Sequence, residues 1–270
     1  MEWFEALILG LIQGLTEFLP VSSSGHLEIG KEILGVRTTD DLMFTTMVHA
    51  ATVLSTIVVF RKQILSLLKG FFKFKYNDET DYLLKIAVSL VPIMIVGLFF
   101  KDQVEALFGS IKVVGIALLF TSALLFLSDI VSRPGKASAS AAAKDVRNGI
   151  SYWQALVVGL GQALAVIPGL SRSGTTISTG LICGVRRDVM AQFSFLMVLI
   201  PILGESFLEL VGGEFASSSV GALPLALGFL SAFVSGLFAC KVMIALVRKA
   251  RLSWFAVYCL IAAAVIFIFS

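Results

Sequence analysis

Two short stretches hold most of the groups that could do chemistry. "QGLTEFLPVSSSGH" (13–26) carries Gln13, Glu17, Ser23 and His26, and "PGLSRSGTT" (168–176) carries Ser171, Arg172, Ser173, Gly174, Thr175 and Thr176. The second stretch has the makings of an anion receptor. A Pro-Gly turn leading into a new helix leaves N–H groups without intrahelical acceptors, and Gly174 permits close approach of a ligand to them. Arg172 adds a fixed charge and a planar fork that fits two phosphate oxygens, and the four hydroxyls are further donors. The first stretch carries acid–base and metal-ligating types. Gln13 and Glu17 are four apart and share a helix face. A carboxylate beside an amide oxygen suits a hard divalent cation such as Mg or Ca. His26 could act as base, acid or nucleophile. His49, inside an apolar run, reads as a supporting or packing polar group.

These groups sit in a very apolar chain. Of its 270 residues, 57% are apolar and only 14% charged, and mean hydropathy is +0.95, outside the range of soluble domains. Six segments approach the length that crosses a bilayer as helix: 42–60, 82–100, 111–131, 189–210, 220–247 and 252–270. The apolar and polar residues do not alternate as a barrel requires. The three cysteines, Cys183, Cys240 and Cys259, lie in or beside apolar segments without motif spacing, so packing is their expected role. The start of the chain lacks the basic run and cleavage site of a signal peptide. The net charge of +3 gives no reason to expect a nucleic-acid partner. The positive charges cluster after 42–60 (Arg61, Lys62, Lys69, Lys73, Lys75), after 111–131 (Arg133, Lys136, Lys144, Arg147) and between the last two segments (Lys241, Arg248, Lys249, Arg251). Such loops stay cytoplasmic. The connections 101–112 and 212–221, and the C-terminus, are then expected outside, with the low-complexity "ASASAAAK" in a cytoplasmic loop.

Residues 3–19 and 152–167 are apolar as well, but each runs into one of the two polar breaks. A break at membrane depth must line protein or a water-filled cavity, so each is expected to be a re-entrant helix–loop–helix. The two copies also match each other at an offset of 149. Ala6, Gly10, Leu11 and Gln13 meet Ala155, Gly159, Leu160 and Gln162; Ser22, Ser24 and Gly25 meet Ser171, Ser173 and Gly174; and "IxGVR" at 33–37 meets "IxGVR" at 182–186. Shared apolarity does not put Gln, Ser-x-Ser-Gly and Gly-Val-Arg in register, so the chain reads as a duplication. Repeat 1 spans about 2–131, a cytoplasmic linker about 132–150, and repeat 2 about 151–270. Three spans per repeat would insert the halves with opposite orientation. The expected fold is therefore an all-α polytopic membrane protein, an inverted-topology repeat with six transmembrane helices and two re-entrant hairpins. Broken helices of such repeats meet near the midplane and build a polar site there. The copies differ where chemistry would lie: Glu17 matches Val166, Ser23 matches Arg172, and His26 matches Thr175. One wall would carry the acid and imidazole, the other the cation.

"QGLTEFLPVSSSGH" together with "PGLSRSGTT" resembles the undecaprenyl-pyrophosphate phosphatase family of bacterial membranes, the bacitracin-resistance phosphatases. The family pattern is Glu-or-Gln, three residues, Glu; then Ser-Ser-x-Gly-His; then Pro-Gly-x-Ser-Arg-Ser-x-x-Thr. The resemblance implies removal of the terminal phosphate of undecaprenyl pyrophosphate, leaving undecaprenyl phosphate, the lipid carrier for cell-wall precursors. It implies a metal-dependent enzyme of the bacterial plasma membrane with an extracytoplasmic site. By the motif, Gln13 and Glu17 are the glutamate pair, Ser23 and His26 belong to the serine–histidine loop, and Ser171, Arg172, Ser173 and Thr176 to the arginine loop. Because the first motif position is Gln13, the metal-ligating weight falls on Glu17. The nucleophile stays open among Ser23 activated by His26, His26 itself, and a metal-bound water. Expected partners are the polyprenyl pyrophosphate and the surrounding lipid, and a homodimer stays open. The rival class is a polyprenyl-phosphate flippase using the same anion pocket.

Overall fold

The computed structural model describes residues 1–36, 42–107, 110–132, 146–204 and 220–269, and every regular element among them is helical. Most of the 212–221 connection, "ASASAAAK" and the end of the 189–210 segment lie outside the described residues.

The first break is built by local rules. Helix α1 (Trp3–Thr16) begins with a capping box between Glu2 and Glu5 and stops short of Pro20. Helix α2 (Ser23–Leu34) begins at Ser22, whose Oγ accepts the Gly25 N–H at 3.2 Å. Ser22 holds φ 72°, a strained value for a residue with a Cβ. The other copy repeats the arrangement with different labels. Helix α8 (Tyr152–Leu164) starts with a capping box between Ser151 and Gln154. Helix α9 (Arg172–Ile182) is capped by Ser171, whose Oγ accepts the Gly174 N–H at 3.1 Å. The repeated "GVR" is a helix stop in both places. Gly35 (φ 69°) and Gly184 (φ 84°) close α2 and α9, with Val36 N–H donating to the Lys31 carbonyl and Val185 N–H to that of Gly180.

Between the breaks lie the longer helices: α3 (Leu42–Val59), α4 (Arg61–Phe71), α5 (Asp78–Phe99), the short α6 (Lys101–Glu105) and α7 (Ile111–Val131). After α9 come α10 (Arg187–Met197), α11 (Ala222–Lys249) and α12 (Ser253–Phe269). Among the described residues, four helices are long and apolar enough to cross a membrane: α5, α7, α11 and α10 with its continuation to Gly204. A fifth is gained if α3 and α4, bent by 75°, form one span, while Ser253–Ile268 is a shorter apolar helix. Part of the basic connection expected after 42–60 is thus helical. Its apolar Ile64, Leu65, Leu67 and Leu68 alternate in helical phase with Arg61, Lys62 and Lys69.

Helix α1 packs along α11, α8 along α5, α7 along α12, and α9 against α7 and α8. A Cβ at Gly10 would collide with the Gly228 carbonyl of α11, and one at Gly159 with the Ser89 carbonyl of α5, so both breaks are anchored by close backbone approach. Large apolar side chains such as Leu98, Trp254 and Ile268 stay exposed on the outside, as expected of a lipid-facing surface. Two ion pairs are sunk into the ends of the bundle. Lys85 pairs with Asp81 at 2.6 Å, both side chains 2% exposed, and Arg187 pairs with Asp129 at 2.7 Å.

Candidate active site

The two breaks touch. Ser173 Oγ donates to the Leu19 carbonyl at 3.1 Å, and the Gly169 N–H donates to Ser24 Oγ at 3.4 Å. Val114 of α7 sits beneath both Gly25 and Gly169. Pro20 and Pro168–Gly169 stop α1 and α8 near this junction, so the second helix of each break starts there with its N-terminus turned inward.

A cavity opens beside the junction. Glu17, Arg172, Ser173, Thr176, Thr52, Thr56 and Ser194 give it a polar floor. Phe18, Val53, Phe195, Val198, Leu199 and Ile202 give it an apolar side. Glu17 and Arg172, from opposite copies, thus face one space. Glu17 Oε2 accepts from Ser23 Oγ at 2.6 Å and from Gln13 Nε2 at 2.9 Å. Gln13 is fully buried, and its Oε1 has no hydrogen-bond partner. The amide N–H, not this oxygen, faces the carboxylate, so the amide has to turn over before Oε1 and Glu17 present two oxygens to one hard divalent cation. Gln13 and Glu17 are therefore the groups that could hold a metal.

The arginine loop is less open to an anion than its composition suggests. The Ser171 N–H donates to Thr121 Oγ1 at 3.2 Å and the Gly174 N–H is taken by Ser171 Oγ. The first-turn N–H groups of Arg172 and Ser173 remain, with no intrahelical acceptors. Thr176 Oγ1 is 2.7 Å from Ser194 Oγ, so Thr176 and α10 share the cavity floor. Thr175 turns away. Its Cγ2 lies toward Gly161 of α8, and its buried Oγ1 is unpaired.

His26 is not brought to the cavity with Glu17. Its Nδ1 lies 2.7 Å from the Ser22 carbonyl, which only accepts, so Nδ1 carries the proton; Nε2 accepts from the Tyr258 hydroxyl at 2.6 Å. The ring stacks on Tyr258 of α12, centroids 5.5 Å apart. The bond back to Ser22 draws the imidazole toward α12, away from the helix face that Ser23 turns to Glu17. The imidazole beside Glu17 is instead His49, with Nε2 3.8 Å from Glu17 Oε2. Thr52 and Thr56 follow it on α3. The signal for this wall was present in the sequence: Thr45, His49, Thr52 and Thr56 are spaced four, three and four apart, a single polar stripe along an apolar helix. Ser194 had no comparable signal, since only the fold brings it to Thr176.

A helical bundle with exposed apolar sides, whose broken helices bring a carboxylate and a guanidinium to one cavity, defines an integral membrane protein with a polar cavity between its helices. The chain belongs to the bacitracin resistance protein BacA family, whose model matches residues 6–265. It is 51% identical to an undecaprenyl-diphosphatase of Bacteroides fragilis, covering 100% of this chain and 99% of that protein. It is 53% identical to one of Parabacteroides distasonis (97% and 96% covered) and 49% identical to one of Christiangramia forsetii (100% and 100%).

Proposed function

We propose that the chain hydrolyses undecaprenyl pyrophosphate to undecaprenyl phosphate and inorganic phosphate, returning the lipid carrier to cell-wall synthesis. Full-length similarity to proteins of that name supports the reaction. The observation that carries the site assignment is Ser23 Oγ held 2.6 Å from Glu17, which itself lines a cavity whose other wall is Arg172. The cavity's apolar side accepts the first part of a polyprenyl tail, and its polar floor accepts the charged head.

Arg172 and the N–H groups of Arg172 and Ser173 bind the terminal phosphoryl oxygens and stabilise the charge that grows on them. Glu17 aims Ser23 and takes its proton as the oxygen attacks the terminal phosphorus. The bond to the bridging oxygen breaks, undecaprenyl phosphate leaves, and water then releases phosphate from Ser23. Glu17, not His26, is thus the partner of the nucleophile, and His26 keeps the Ser22 turn tied to α12. Gln13 and Glu17 would hold a divalent cation, Mg or Ca, which when bound supplies positive charge next to the substrate oxygens.

The same reading extends to the architecture. Six crossings and two re-entrant hairpins in two inverted repeats are supported by the paired serine caps, the paired glycine stops, and the crosswise packing of α1 on α11 and α8 on α5. The basic residues of α4 and of the α11–α12 turn support a site that opens outside the bacterial plasma membrane. A carrier has no need of a serine held on a carboxylate, and the flippase reading gains no support from the relatives' names. Purified protein in detergent micelles, where no transport is possible, is expected to release phosphate from undecaprenyl pyrophosphate. Absence of release under metal-replete conditions would remove the hydrolase reading.

A further inference from the structure

We propose that α4 lies in the headgroup layer of the membrane and binds anionic phospholipid there, through an apolar edge of Leu65, Leu68 and Phe72 and a basic edge of Lys62, Lys69 and Lys73. This placement holds on the reading that α3 is one of the crossings.

The course of the chain brings α4 to the membrane boundary. Helix α3 has 18 residues, about 27 Å at 1.5 Å per residue, close to the roughly 30 Å of a hydrocarbon core. The chain has then crossed, and α4 leaves at 75° to α3, near the bilayer plane for a crossing close to the membrane normal. Its direction is held from both ends. Ile64 and Leu67 pack on the core of the bundle, Arg61 Nη1 donates to the Val58 carbonyl at 2.9 Å, and Asn77 Nδ2 donates to the Gly70 carbonyl at 2.9 Å.

Two further edges of α4 face outward. Leu65, Leu68 and Phe72, three and four residues apart, are 54%, 45% and 65% exposed. Lys62, Lys69 and Lys73, seven and four apart, form an exposed edge beside them. A helix of this kind settles with its apolar edge in the outer acyl region while its lysines reach up to the headgroups. The pattern continues past the helix. Phe72 and Phe74 alternate with Lys73 and Lys75, and the two rings meet edge to face, centroids 6.5 Å apart. No acidic residue occurs from Arg61 to Tyr76. Five cations without an anion select a negative surface, and each basic residue near one strengthens association roughly fivefold. A soluble acidic partner would match the charge alone. A bilayer whose hydrocarbon ends where α3 ends meets the charge and the apolar edge together.

The test uses the full chain lacking Cys183, Cys240 and Cys259, in phosphatidylcholine nanodiscs, with a bimane fluorophore on Phe72→Cys. Trace phosphatidylglycerol or phosphatidylcholine with a nitroxide on its acyl chain quenches the fluorophore on contact, and iodide quenches it from water. Phosphatidylglycerol is expected to quench at a mole fraction at least about fivefold lower than phosphatidylcholine, with iodide largely excluded. Replacing Lys62, Lys69 and Lys73 together by Gln should abolish that difference, and replacing them by Arg should keep it, at matched elution profile and helix content. Bimane on Leu54→Cys, on the exposed side of α3, tests the crossing separately and should be quenched by both lipids and not by iodide. If iodide reaches Leu54→Cys, α3 is not a crossing and the placement of α4 falls with it. If Leu54→Cys behaves as a crossing but iodide freely reaches Phe72→Cys, α4 stands off the bilayer and its outward edges serve a soluble partner. Equal quenching by the two lipids, or a preference that survives the Gln variant, would overturn anionic-lipid binding by the basic edge.

Discussion

Arg172 supplies the cavity's cationic wall, and its guanidinium geometry is as important as its charge. An ammonium cannot present two parallel donors to a phosphoryl group. Arg172→Lys is therefore expected to lose about 2–4 kcal/mol of transition-state stabilisation, roughly a 30- to 1000-fold drop in rate. A variant within threefold of the native rate would mean that Arg172 only marks the edge of the cavity. The Glu17–Ser23 bond leads to a second expectation. Ser23→Ala and Glu17→Gln should each slow phosphate release by at least about 100-fold, whereas Gln13→Ala, which removes only an amide, should cost less. Comparable losses in all three would place the metal, not the serine, at the centre of the chemistry. Much of this site was legible in the sequence because Glu17, Ser23 and Arg172 lie in motifs whose types announce their use. The orientation of His26 was not legible, since its partner Tyr258 lies 232 residues away and no local spacing connects them. His49 lay within reach, as part of the Thr45–His49–Thr52–Thr56 stripe. Its spacing supports a role as a supporting or packing polar group, but nothing local to α3 shows that it faces Glu17.

At the scale of elements, the breaks are precise because helices pin them from both sides. The repeated Ser-x-Ser-Gly and Gly-Val-Arg strings become N-caps and glycine stops, features that local chemistry dictates and that a sequence therefore displays. The bend between α3 and α4 has neither proline nor glycine at Phe60–Arg61; it arises where an apolar helix meets a basic amphipathic one, and tertiary packing sets its angle. The Lys85–Asp81 pair is a local contact four residues apart on α5, but its burial is a product of the fold. Lys85 Nζ also donates to the Arg147 carbonyl at 2.7 Å, and Asp81 accepts from Tyr76, Tyr152 and Asn148. This network ties α5 to the start of α8, and hence to the arginine loop that α8 carries. Lys85→Met would leave Asp81 buried with neutral partners only. A loss of about 3 kcal/mol or more is expected, seen as a fall in melting temperature on the order of 10 °C in detergent. Lys85→Arg should recover part of it. An unchanged melting temperature in Lys85→Met would show that the pair does not hold α5 to α8.

Across the whole molecule, the expectation concerns which side of the membrane the site faces and whether one chain builds it. The cavity is assembled from Glu17 of one break and Arg172 of the other, and hydrogen bonds run between the breaks within a single chain. By the positive-inside rule, the basic residues around α4 and between α11 and α12 are expected on the cytoplasmic side, which would leave Lys112, at the start of α7, on the other side. Lys75 and Lys112 are both exposed, so each can be replaced by cysteine with little cost on a background lacking Cys183, Cys240 and Cys259. In intact cells a membrane-impermeant thiol reagent should label Lys112→Cys and not Lys75→Cys. The reverse pattern would invert the molecule and turn the site toward the cytoplasm. On the same background, Ser24→Cys with Ser173→Cys should be joined by a short bifunctional thiol reagent within one polypeptide, because Ser24 accepts from Gly169 of the arginine loop and Ser173 donates to Leu19 of the first break. Linkage only between polypeptides would mean that two copies exchange their breaks, and the Glu17–Arg172 pairing would then have to be assigned across a dimer.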